Sequence, residues 1–376
     1  MTAVKEAAIG LLRRKRFWAV LLVPLSLLLN GLCIRSPEFT ERFISRGIYP
    51  AVAQSISFVT GLLPFSLIEA FLALGVPLLL VLLIRGCFRF FRRREERRRM
   101  AVGFAATLCC AAGIFSVLYV LLCGAQYSRL SFAELAGLPV RPSTAEELGD
   151  FCEELTAFTA ALREQVPEDE NGVARCTDSS FYATARKART AMDLLAEEYP
   201  VLEGKYSAPK PVFFSRVLSA LDLEGVFCPF TMEANVNRDS MAFSRASTMC
   251  HEQAHLRGFI REDEANYIAC RACLRSEDPS IRYSGAILAV IYSMNQLYEA
   301  DRERFDEIYA GYSGGMLRDL AAHRAYWKQF EGPVSDLGSS VNDAYLKANR
   351  QQDGVQSYGR MVDLLLAEYR QKKSIG

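Results

Sequence analysis

Three stretches within the first 125 residues are almost free of charge, and each is about long enough to cross a bilayer. FWAVLLVPLSLLLNGLCI (residues 17–34) and AVGFAATLCCAAGIFSVLYVLLCGA (101–125) carry no charge at all. GLLPFSLIEAFLALGVPLLLVLLI (61–84) carries only Glu69. A helix of about 20 predominantly apolar residues spans the hydrocarbon core. The sequence therefore predicts a membrane anchor over residues 1–125 with three transmembrane helices. The basic RRKR ahead of the first run has the look of a signal peptide, but no small-residue cleavage site follows. An uncleaved anchor is the better reading.

Charge asymmetry sets the expected orientation. Lys5, Arg13, Arg14, Lys15 and Arg16 precede the first run. RGCFRFFRRREERRRM, between the second and third, carries eight arginines against Glu95 and Glu96. The loop between the first and second carries Arg35, Arg42 and Arg46, offset by Glu38 and Glu41. Positively charged loops stay cytoplasmic. The N-terminus is thus expected inside, and everything after about Gln126 outside the cytoplasmic membrane. With 44 basic and 43 acidic residues the net charge is +1, which gives no global field toward nucleic acid. Topology accounts for the arginine loop, and the expected partners are the lipid bilayer and a peptide or protein substrate.

Residues 126–376 are enough for one exported domain with its own core. TAEELGDFCEELTAFTAALREQV, DSSFYATARKARTAMDLLAEEYP and most of the chain after residue 264 repeat apolar residues at helical intervals. PVFF and GVFCPF read as short strands. The expectation is a mainly α domain with a few short strands. FTMEANVN, just before the motif below, is read as an edge strand to which an extended peptide could add. Cys270 and Cys273 form a CxxC, read here as two small buried side chains rather than a redox or zinc pair.

The chemistry is concentrated in CHEQAHLRGFIREDEAN, residues 250–266. The chain has three histidines, and two of them, His251 and His255, stand four residues apart. On a helix they share one face and can bind one zinc ion. Glu252 projects about 100° from His251, where it can take a proton from water without ligating the metal. Ser247 or Thr248 is the expected cap of this helix. Gly258 can end it in a left-handed conformation, after which Glu262, Asp263 and Glu264 offer a third ligand. Cys250 adjoins the motif but points elsewhere. His323, Tyr345 and Tyr358 are weaker candidates for stabilising an oxyanion.

The E-x-x-x-N formed by Glu262 and Asn266 resembles the E-x-x-x-D element of glutamate-type zincins. That resemblance implies a zincin-like domain in which Glu262 is the third zinc ligand and Asn266 accepts the other N–H of a ligand imidazole. Two features depart from it: Asn stands where Asp is usual, and His255 to Glu262 is a short interval. The glycine turn is closer to the metzincin spacing, but that register places the third ligand on Arg261, which cannot ligate. Glu264 is the second choice. The three apolar runs, FTMEANVN, HEQAHLRGFIREDEANYIA and SVNDAYLKANRQQDGVQSYGRMVDLLL together resemble the bacterial domain-of-unknown-function 3810 family. The family likeness implies a membrane zinc peptidase with no assigned substrate.

The function expected from these residues is that of a membrane-anchored zinc metallohydrolase, most simply a peptidase. Zn2+ would be held by His251, His255 and Glu262, with Glu252 as general base. The alternative is a non-catalytic cell-envelope binding or assembly protein with a closed, structural zinc site, its fourth ligand drawn from Cys250, Asp263 or Glu264.

Overall fold

The computed structural model describes Glu6, residues 9–351, Gly354 and residues 359–375; Lys5 and Tyr358 lie outside these. The chain is mainly α with one small sheet, as the sequence predicts. It divides into two units. The first comprises Met1–Tyr49 and Leu67–Arg129, the second Pro50–Ser66 and Leu130–Gly376. Below, the longer helices are numbered in chain order.

The first unit holds three helices long and apolar enough to cross a membrane: Lys15–Arg35, Leu67–Arg92 and Arg94–Leu122. Their α-helical parts are α1 (Leu22–Arg35), α3 (Leu67–Arg92) and α4 (Arg97–Leu122). The segment leading into α1 and α4 approach closely at Gly113, where a Cβ would lie 1.9 Å from the Ala19 carbonyl oxygen. Small residues allow this kind of backbone contact between membrane helices. Beyond the helix ends, Arg129 donates to both carboxylate oxygens of Glu41, at 3.0 and 2.8 Å, in a fully buried fork.

The second apolar helix starts at Leu67, six residues later than residue 61. Residues 62–66 turn instead, since Pro64 cannot donate a backbone hydrogen bond. This stretch and most of the preceding α2 (Tyr49–Gly61) pack as part of the second unit. Ser57 Oγ lies 2.9 Å from Ser207 Oγ, and the Tyr182 hydroxyl donates to the Pro64 carbonyl at 2.9 Å. Lys210 Nζ, buried, donates to Thr60 O at 2.6 Å and Phe65 O at 3.1 Å while pairing with Glu233 Oε1 at 2.6 Å.

The second unit is built around α5 (Ala145–Arg163), α6 (Phe181–Glu198), α7 (Ala242–Leu256), α8 (Glu262–Arg275) and α9 (Pro279–Ala300). The longer helices α11 (Gly314–Lys328), α12 (Pro333–Ala348) and α13 (Met361–Ile375) follow the short α10 (Arg302–Ala310). The sheet has three strands, β1 (Lys210–Val212), β2 (Gly225–Cys228) and β3 (Glu233–Asn237), in the order β1-β3-β2. β1 runs parallel to β3 and β2 antiparallel to it. The FTMEANVN segment is therefore the middle strand, with every β3 residue buried, and not an edge. Its position before the motif helix does place it against α7. But its asparagines are enclosed and paired: Asn237 Nδ2 donates to Ser219 Oγ at 2.8 Å and Asn235 Nδ2 to Glu233 O at 3.1 Å.

Local sequence explains the helix starts. Thr144 caps α5 by accepting from Glu147 N at 3.1 Å. Asp278 caps α9 ahead of Pro279, accepting from Ser280 N at 2.9 Å, and also receives Thr177 Oγ1 at 2.9 Å and Lys187 Nζ at 2.6 Å. Burial alone would raise its carboxyl, but Lys187, Ser280 and Thr177 outweigh it and hold the group down at about 2. A depressed carboxylate contributes stability above its unfolded value near 4 and loses it as pH falls toward 2. Asp278→Ala is expected to cost about 1–3 kcal/mol at neutral pH, read as a lower melting temperature of the full chain. The difference from wild type should shrink as pH falls through that window.

Candidate metal centre

The motif helix α7 begins at Ala242, more than a turn before the expected caps. Ser247 and Thr248 are interior residues. Ser247 Oγ donates to Ser244 O at 2.7 Å, and Thr248 Oγ1 donates to Glu224 Oε2 at 2.6 Å. The upstream residues join the helix because Phe243 and Ala246 are buried in the core.

At its other end α7 closes in a Schellman turn. Gly258 has φ +85°, Gly258 N donates to His255 O at 2.9 Å, and Phe259 N to Ala254 O at 3.1 Å. The turn brings the Phe259 carbonyl back over the helix, where it accepts from His255 Nδ1 at 2.8 Å. A carbonyl only accepts, so His255 is protonated on Nδ1 and presents the lone pair of Nε2. One turn into α8, Asn266 Oδ1 lies 2.8 Å from His251 Nδ1 and sets the same tautomer there. Glu262 is the first residue of α8, where the helix dipole favours a carboxylate. Its Oε2 lies 3.1 Å from His251 Nε2 and 3.5 Å from His255 Nε2.

The ligand atoms of His251, His255 and Glu262 thus lie within 4.8 Å of one another and could hold a metal ion. Fixed tautomers aim three lone pairs at one point, and Glu262 Oε2 has no hydrogen-bond donor among the described residues. Such an arrangement could accept a cation at its centre. The electrostatics agree. Burial opposes charge on Glu262, yet the two imidazoles hold its carboxyl down at about 2. Burial likewise opposes charge on His255, and Glu262 nevertheless raises it to about 9. Without a metal the carboxylate draws a proton onto its neighbour; a divalent ion meets the same demand directly.

Glu252 is buried beside the trio, and its Oε2 has no hydrogen-bond partner among the described residues. Burial pushes its carboxyl up to about 7; the imidazoles pull it back, and the charge of Glu262 adds to the rise. Its other oxygen sits under β2. A Cβ on Gly225 would meet Glu252 Oε1, so a larger residue here would displace that carboxylate. Both residues line a cleft of about 920 Å³, together with His251, Tyr292, His323 and Trp327.

The remaining sequence candidates fall elsewhere. Glu264 Oε1 accepts from Phe132 N at 2.7 Å and Arg261 Nη1 at 3.1 Å, outside the trio. Asp263 is likewise not part of it. Cys250 Sγ faces Cys273 Sγ at 3.7 Å and Ala188 O, and Cys270 is buried in the same core. His323 does line the cleft, with Nε2 accepting from Trp327 Nε1 at 3.0 Å and lying 3.4 Å from Glu224 Oε1. Tyr345 is exposed on α12. Sequence reasoning missed Gly225, Glu224, Tyr292 and the Phe259 carbonyl. Only Gly225 left a trace, as a glycine at the start of a strand.

The sequence model of DUF3810, described as proteins of unknown function, matches residues 44–366, most of the chain and all of this site. The chain belongs to the DUF3810 family. No curated protein and no solved structure matches it. The DUF3810 description assigns no activity, so the chemistry rests on the residues themselves.

Proposed function

We propose that this DUF3810 protein is a membrane-anchored zinc hydrolase that cleaves peptide bonds outside the cytoplasmic membrane. The observation that carries the reading is the convergence of His251, His255 and Glu262 on one point beside the buried carboxylate of Glu252. Two imidazoles and a carboxylate suit zinc, and three protein ligands leave the open position that catalytic zinc keeps. The alternative, a closed structural site, needs a fourth protein ligand; Cys250, Asp263 and Glu264, the candidates for it, are not part of the group formed by His251, His255 and Glu262. The motif helix, glycine turn and second helix bearing Glu262 and Asn266 support a zincin-like reading of the domain.

A bound zinc ion would supply Lewis acidity at the centre. The chain's own residues do the rest. Glu252, poised near neutrality, accepts a proton from the attacking water. Asn266 and the Phe259 carbonyl keep both imidazoles presenting Nε2. The substrate edge is β2 rather than β3. Asn237 N donates to Glu224 O at 2.8 Å, so by ladder alternation Gly225 and Phe227 turn their backbone groups away from β3. An extended peptide pairing with that outer edge passes Glu252.

Location follows from two supports. The second unit contains both Pro50–Ser66 and Leu130–Gly376. Three membrane crossings put those segments on one side, and the arginine-rich loop between α3 and α4 makes it the outer side.

The test is metal analysis and peptide hydrolysis on the full chain in detergent. About one zinc per chain is expected, with fragment release from a peptide library that stops on chelation. A folded chain that binds no zinc sinks the reading. Asn266→Ala should weaken zinc binding by about 10–100-fold, measured by competition with a chromogenic chelator. An unchanged affinity would remove Asn266 from the site.

A further inference from the structure

Two basic segments far apart in the sequence meet at one end of the first unit. Arg14 Nη2 donates to Arg99 O at 3.4 Å, Arg16 Nη2 donates to Gly103 O at 2.8 Å, and Arg98 reaches Glu6. The tract RRKR, residues 13–16, is thereby folded onto the arginine-rich segment 85–99. Eight arginines of one segment and four basic residues of the other meet three carboxylates, Glu6, Glu95 and Glu96. Glu96 is already engaged by Arg93 at 2.8 Å and Arg89 at 3.9 Å. Arg85, Arg92, Arg94 and Arg99 have no carboxylate partner among the described residues.

At the C-terminal end of α3 lies a groove of about 780 Å³ lined by Phe88, Arg89, Phe91, Arg92 and Arg93. Phe88 and Phe91 are 74% and 69% exposed, so the rings are open to a ligand. Guanidinium groups beside bare phenyl rings, at the end of apolar helices, match a molecule that is anionic at one end and hydrocarbon at the other. We propose that this face binds the phosphodiester headgroup of an anionic phospholipid, with Arg89, Arg92 and Arg93 on the phosphate and Phe88 and Phe91 against the acyl chains. Guanidinium forks pair with phosphate oxygens bidentately. Polybasic segments beside a membrane helix gain about fivefold in affinity per basic residue from anionic lipid. Orienting the helices requires only a charge excess in the loop. The docking of RRKR onto that loop and the open groove go beyond that need.

The experiment titrates the full chain, in nonionic detergent, with phosphatidylglycerol and with phosphatidylcholine of the same acyl chains. Bound lipid is counted by native mass spectrometry. Phosphatidylglycerol should be retained about tenfold or more over phosphatidylcholine, and less so in high salt. Arg92→Gln and Arg93→Gln should each weaken it about fivefold, whereas Arg92→Lys, which keeps the charge, should retain most of it. Equal retention of the two lipids, or no response to the glutamine variants, overturns the proposal. Competition by soluble glycerol phosphate as effective as by phosphatidylglycerol would assign the groove to a free anion and overturn the lipid reading. None of these readouts involves the metal centre.

Discussion

Glu252→Gln is expected to keep about one zinc per chain and to lower hydrolysis by about 10²–10⁴-fold, the span for removing a positioned proton acceptor. The two side chains have the same shape, so the amide fits under Gly225 where the carboxylate sits now. His251 and His255 keep Asn266 and the Phe259 carbonyl on their Nδ1 atoms, and Glu262 stays within 3.5 Å of both Nε2 atoms. The measurement pairs zinc content with initial rates on one peptide, wild type against variant. Equal rates would mean that the proton goes to another group, for which His323 and Glu224 also line the cleft. Loss of zinc from a folded variant would mean that Glu252 holds the metal, which turns an open site into a closed one. Each outcome separates the chemistry of the base from that of the ligands.

Much of this was legible because it is local. Apolar runs announce membrane helices by length alone, and HEQAH announces its own geometry since a helix brings residues four apart together. Gly258 and the acidic start of α8 also lie within a dozen residues of the motif, where the likeness of E-x-x-x-N to the zincin E-x-x-x-D element pointed to Glu262 and Asn266. What the sequence could not show depends on distant segments. Gly225 matters only because β2 crosses α7, and Glu224 only because Thr248 faces it from another element. The reading of FTMEANVN as an edge failed for the same reason. Strand order is decided by partners, and KPV and GVFC flank EANVN on both sides. Ser247 and Thr248 looked like caps because their residue types favour helix starts, but burial of Phe243 extends the helix past them.

The boundary between the units is the other feature that sequence alone did not suggest. A loop between two apolar runs reads as a tether, yet Pro50–Ser66 is bound into the second unit. Lys210 is the residue that makes this binding costly to break. Its ammonium is buried with Glu233, which is fully enclosed, and caps the carbonyls of Thr60 and Phe65.

Lys210→Met is therefore expected to destabilise the second unit by about 3–5 kcal/mol, the cost of leaving one member of a buried ion pair behind. Methionine keeps an unbranched apolar stem only one atom shorter than lysine, so little of the loss can come from a cavity. Adding Glu233→Leu should recover part of the stability, because the stranded charge is gone. It should not recover all of it, since the two carbonyls still lack their donor at about 1–3 kcal/mol each. Unfolding of the full chain in detergent measures both steps, and limited proteolysis within residues 50–66 reports the segment directly. If the single variant melts like wild type, Lys210 does not hold the segment. If it falls and the double variant recovers completely, the ion pair matters but the carbonyl caps do not. Partial recovery, with faster cleavage in residues 50–66, places the grip on this segment in one lysine, at the start of the strand that pairs directly with the central strand bearing Glu233.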